Sequence, residues 1–192
     1  MRSRDAIIKA SKLDPQEASY LMNMQLLSSL QNIEIPNNTQ QKILDILTSR
    51  PPSASTQIAI DNIVKCIGRD CKEMLPNTEE WLRTILTSIQ NPKAKAAANY
   101  YYLLGRVLKS KGEQISALNA FQQAHESDEL FLHPLFEMID ILLRLKQLQS
   151  AETVFNWLEV ANNDSPHPQS KQLATLKESL ELLRLEVNNS VK

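Results

Sequence analysis

Apolar residues in this chain return every three or four positions, the period of a helix face, and no stretch shows the alternation of a strand. The spacing predicts a first helix at about 3–11. Asp14-Pro15-Gln16-Glu17 then reads as a helix start, in which Asp14 caps, Pro15 suits the first turn and Glu17 reaches back to the cap. Leu21, Met24, Leu27 and Leu30 carry that helix to about 31, and Ile33 to Asn38 breaks it. A short helix at about 39–49 places Ile43, Leu44 and Leu47 on one face and stops at Pro51-Pro52. The next, about 55–67, carries Ile58, Ile60, Ile63 and Val64. Asn77-Thr78-Glu79-Glu80 opens another, running to about Gln90 through Trp81, Leu82, Ile85, Leu86 and Ile89.

The second half is more regular, with helices predicted at about 93–111, 114–126, 132–146, 148–162 and 169–188. Gaps this short between helices favour antiparallel hairpins. Within them lies a repeat. Relative to Gly105, the residues Leu108, Gly112, Ala117, Phe121 and Ala124 stand at +3, +7, +12, +16 and +19. These positions resemble the tetratricopeptide repeat (TPR), in which small residues let two helices approach and an aromatic fills the gap between hairpins. Moving on 34 residues, Ala151 and Phe155 repeat Ala117 and Phe121. The second unit departs elsewhere: Ile139, Lys146 and Leu158 replace the two glycines and the late alanine. The last helix, with Leu173, Leu176, Leu180, Leu183 and Val187 on one side, reads as a cap on the stack and not as a coiled-coil seam.

The resemblance implies an all-α fold of antiparallel helical hairpins, a TPR-like right-handed superhelix. It also implies a concave face lined by the first helix of each hairpin. Asn99, Tyr102, Arg106 and Lys109 would stand there from one unit, and His133, Phe136, Asp140 and Arg144 from the next. Amide, aromatic and cationic groups together suit an acidic or extended peptide, or a sugar.

Composition narrows the function further. Lys and Arg total 21 against 22 Asp and Glu, and the net charge of −1 argues against a nucleic-acid partner. Only 3 glycines occur, too few for a hairpin-rich β fold. No apolar run approaches the roughly 20 residues that span a bilayer, and no signal peptide is visible. Glycine-rich phosphate loops and nucleophile elbows are also missing, so no cofactor and no catalytic residue is implied. His125, His133 and His167 stand apart from one another and read as structural or solvent-facing rather than metal ligands. Cys66 and Cys71 are too widely spaced for a redox Cys-x-x-Cys pair. They can close a local disulfide in an oxidising compartment or stay as two thiols in a reducing one.

Several features along the whole chain resemble a more particular family. They are the Cys66–Cys71 loop, Trp81, Asn91-Pro92, the Tyr-Leu-Leu-Gly-Arg run at 102–106 and Phe131-Leu132-His133-Pro134. Together they resemble the soluble carboxy-terminal region of bacterial O-antigen ligase/polymerase membrane proteins, which include pilin oligosaccharyltransferases. That resemblance implies a tail on the periplasmic side of the inner membrane, tethered through an upstream segment, with a glycan or its carrier protein as a further partner. Arg2 and Arg4 point the other way, since basic residues beside a span favour the cytoplasmic side. The expectation is thus an irregular helical part over 1–91 and TPR-like hairpins with a capping helix over 92–192. The protein would bind a protein or peptide without catalysis, as a transferase tail or as a free-standing cytoplasmic TPR adaptor or secretion chaperone.

Overall fold

A computed structural model describes residues 6–7, 9–10, 13–14, 17–31, 34–89, 91, 95–165 and 168–190. Among these, every regular element is helical. Ala6, Ile7, Lys9, Ala10 and Leu13 are helical, whereas the rest of the first predicted helix, together with Pro15 and Gln16, lies outside the described residues. The chain divides into two compact units, Met1–Pro92 with Arg106–Glu113, and Lys93–Gly105 with Gln114–Lys192.

The first unit holds α1 (Ala18–Gln31), α2 (Thr39–Ser49), α3 (Ala54–Ile67) and α4 (Leu75–Ser88), with a three-ten turn at Lys72–Met74. α1 packs on α2 and α3, and α2 on α4. α3 begins where Ser53, in an extended conformation, accepts the Thr56 amide at 3.0 Å, a side-chain cap for an otherwise orphan N–H. The core is built from Met22, Ile43, Leu47, Ile60, Ile63, Ile67, Trp81, Leu82 and Ile85. α4 starts two residues earlier than the sequence predicts, because Pro76 is seated in its first turn.

The face of α1 needs correcting. Its buried side is Ala18, Ser19, Met22 and Gln25, and Leu30 is exposed. Gln25 can be buried because its amide is answered: it donates to Gln40 Oε1 at 3.4 Å and accepts from Asn77 Nδ2 at 3.2 Å. The same Gln40 oxygen takes the buried Trp81 indole N–H at 2.9 Å. On α3, similarly, Ile58 points outward while Ala59 and Ile60 are buried. Cys66 and Cys71 face each other across the turn after α3, with Cα atoms 5.3 Å apart, a separation that a disulfide spans.

α5 (Lys95–Lys111) contributes residues to both units. Its last residues group with the first, where Lys111 Nζ meets Glu79 at 2.6 Å. It ends at Gly112, whose φ of 84° is the left-handed turn that glycine adopts without a Cβ penalty.

The second unit continues with α6 (Gln114–Ser127), α7 (His133–Arg144), α8 (Leu148–Asp164) and α9 (Ser170–Ser190). α7 packs against both α6 and α8, and α9 covers α8 and α7. Ala117, Phe121, Ala124, Ala151, Phe155 and Leu158 are all buried, as the repeat spacing requires. α9 turns Leu180 and Leu183 inward and leaves Leu182 and Leu185 exposed.

Candidate functional site

α5, α7 and α9 border an open groove of about 460 Å³ in the second unit. Tyr102 comes from α5, and His133, Phe136, Glu137 and Asp140 come from successive turns of α7. Pro134 in the first turn of α7 starts the helix and so fixes where His133 and Phe136 project. Tyr102 is anchored by aromatic neighbours: the Phe131 ring meets it edge-on at 5.1 Å and the buried Phe121 ring lies at 5.9 Å. His133 sits 5.5 Å from Phe131 and 6.1 Å from Tyr102. Such edge-to-face contacts hold the rings at defined angles, so the aromatic wall is built before any ligand arrives.

The structure brings together four of the residues that the sequence singled out, namely Tyr102, His133, Phe136 and Asp140. Asp140 is engaged by Arg144 at 3.1 Å, an exposed pair one helical turn apart. Asn99, one turn before Tyr102, is half-buried on α5. Arg106 and Lys109 lie further along α5 and group with the first unit. His167 lies outside the described residues. The carboxylates of Glu137 and Asp140 line the groove, and the Arg144 guanidinium pairs with Asp140.

Sequence reasoning missed the third wall. Gln172, Thr175 and Leu176 of α9 complete the groove with an amide, a hydroxyl and an apolar side chain. Their three- and four-residue spacing puts them on one helix stripe, but nothing in the sequence says that this stripe meets α7.

No protein-family profile matches the chain, and no curated protein matches it. Solved structures do. A chain of a T3SS complex from Aeromonas hydrophila is similar over 71% of this chain and 85% of its own, with a TM-score of 0.54 at 15% identity. MamA RS-1, as an ArsTM double mutant, is similar over 85% of each chain, with a TM-score of 0.50 at 14% identity. The fold is TPR-like. YrrB, a TPR protein with an unusual peptide-binding site, also aligns, over 97% of this chain and 99% of its own, at a TM-score of 0.48 and 20% identity. At these identities the likeness concerns the fold alone. For the TPR-like chain described above, it accords with all-helical hairpins in which Gly105 and Phe121 interlock. No described helix is long and apolar enough to cross a membrane.

Proposed function

We propose that this chain is a non-catalytic protein-interaction module whose α5–α7–α9 groove holds an extended segment of a partner protein. The observation that carries the reading is the groove's composition. The Tyr102 and His133 rings, held by their aromatic neighbours, line the groove with Phe136 and with the hydrogen-bonding groups of Gln172 and Thr175. Peptide backbone needs donors and acceptors along its length, and its side chains need apolar contacts between them. The carboxylate of Asp140 is tied to Arg144 rather than offered to a reacting atom.

Selection of short random peptides on the full chain tests this. Peptides recovered on the native protein should lose binding to a His133→Ala, Thr175→Arg double variant with an unchanged melting temperature, since both side chains are exposed. Equal binding to the double variant would remove this groove as the site.

A second reading concerns the setting. The Cys66–Cys71 geometry favours an exported domain, and an exported domain suits the tail of an O-antigen ligase/polymerase-type glycan transferase better than a cytoplasmic adaptor or secretion chaperone. In that setting a glycan or its carrier protein joins the candidate partners. Mass spectrometry of alkylated, non-reduced protein from its native compartment decides between them. Two blocked thiols would mean a reducing compartment and sink the exported reading, whereas an intramolecular Cys66–Cys71 link would support it.

A further inference from the structure

A second groove, of about 470 Å³, runs between α6 and α8 on residues that the first one does not use. Its apolar surface is unusually open. Trp157 is 41% exposed, Val160 64% and Leu130 45%, and all three line the same groove. Single exposed apolar residues are ordinary, but three large ones in one depression mark a contact surface. The Trp157 ring is held in place from beneath. The half-buried His125 ring lies nearly parallel to it, at 15° and 6.2 Å between centroids. Stacking on one face leaves the indole with a fixed orientation toward the groove.

The rim carries one sign of charge. Glu126, Glu129 and Asp164 line the groove, and no lysine or arginine among the described residues does. Glu126 is occupied by the amides of Gln122 and Gln123, at 2.8 and 3.1 Å. Glu129 and Asp164 form no ion pair among the described residues. His125 does not offset them. Burial pushes its pKa below the ordinary value, against the opposing pull of Glu129, Glu126 and Asp128, so the ring is neutral near pH 7. Its buried Nδ1 has no hydrogen-bond partner among the described residues. Two unanswered carboxylates beside an aromatic face form the environment that stabilises a guanidinium or ammonium group, through ion pairing and the ring quadrupole together.

We propose that this groove docks an arginine- or lysine-bearing segment of a partner protein. The cationic head lies by Trp157 between Glu129 and Asp164, and a neighbouring apolar residue covers Val160 and Leu130. The charge of the rim selects this occupant over an acidic peptide, and the open apolar floor selects it over a free small cation.

The test is an NMR titration of the isotope-labelled full chain with two short synthetic peptides, one alternating leucine with arginine and the other leucine with glutamate. The arginine peptide should move the Trp157 indole N–H signal and leave that of the fully buried Trp81 in place. The glutamate peptide should move neither. Replacing Glu129→Gln and Asp164→Asn, which keeps side-chain shape, should weaken the arginine peptide roughly tenfold. Trp157→Ala should abolish binding with the remaining amide spectrum intact. Three results would overturn the proposal: equal binding of the glutamate peptide, arginine-peptide shifts confined to the Tyr102–Phe136 groove, or concentration-dependent self-association of the free chain that covers Trp157.

Discussion

The ring of Phe121 occupies the space that a β-carbon on Gly105 would need, with its Cε1 only 2.5 Å from that position. The close approach of α5 and α6 therefore depends on glycine at 105 and on a large ring at 121 together. Gly105→Ala should cost about 1–3 kcal/mol, the usual penalty for overpacking a core that cannot relax. Denaturant unfolding measures it. A Gly105→Ala, Phe121→Leu double variant should recover part of the loss, and additive losses would show that the two residues are not coupled.

Lys146 holds the opposite lesson. It stands 34 residues beyond Gly112 and adopts a φ of 55°, so a residue with a β-carbon occupies the left-handed turn between α7 and α8. That conformation costs an L-residue about 1–2 kcal/mol. The exposed Lys146–Glu186 ion pair, at 3.4 Å, offsets little of it. Lys146→Gly should stabilise the chain by about 0.5–1 kcal/mol, once the greater freedom of glycine in the unfolded chain is subtracted. A lowered melting temperature would contradict this account of the turn.

Glu17 joins the start of α1 to the start of α3. Its Oε1 accepts from the Ser19 amide at 3.0 Å, Ser53 Oγ at 3.0 Å and Thr56 Oγ1 at 2.9 Å. Burial alone would raise its pKa, but these donors outweigh burial and bring it below the ordinary 4.5. A depressed carboxylate pKa contributes stability above the unfolded-state value, and that stability is lost as pH falls through the folded one. Glu17→Gln should therefore destabilise by about 1–2 kcal/mol at pH 7. The gap between variant and parent should shrink as pH falls below about 4.5. A gap that stays constant with pH would assign the effect to shape instead of charge.

α9 closes the second unit as well as forming a wall of the groove. A chain ending before Ser170 should lose the burial of Leu180 and Leu183 and uncover apolar surface on α7 and α8. The expected signs are a lower melting temperature, binding of a hydrophobic dye and loss of peptides selected on the α5–α7–α9 groove. A truncated chain that still binds those peptides with full affinity would show that Gln172, Thr175 and Leu176 are bystanders.

Features set by local chemistry were legible in the sequence. Gly105, Ala117, Phe121 and Ala124 report how closely two adjacent helices pass, and their spacing survives intact in the fold. Helix ends marked by Pro76, Gly112 and Pro134 were legible to within about two residues. What escaped depends on partners distant in the chain. Gln25 reads as a solvent residue until Gln40 and Asn77 answer its amide. Leu30 reads as core until the helix is seen to bury its other side. His125 looks solitary until Trp157, 32 residues later, is stacked upon it. Half of the α5–α7–α9 groove was visible as the Tyr102, His133, Phe136 and Asp140 stripe, and the half contributed by α9 was not.

The contrast between Gly112 and Lys146 reaches beyond stability. The two turns share a positive φ but not a side chain, so different residues carry the same left-handed turn. Ile139 and Leu158 likewise stand buried where the first hairpin has a glycine and an alanine. The second repeat thus keeps the turn and the burial of the first with different residues at these positions. Residue identity carries the second hairpin only at Ala151 and Phe155, whereas dihedral sign and burial carry it at 139, 146 and 158 as well.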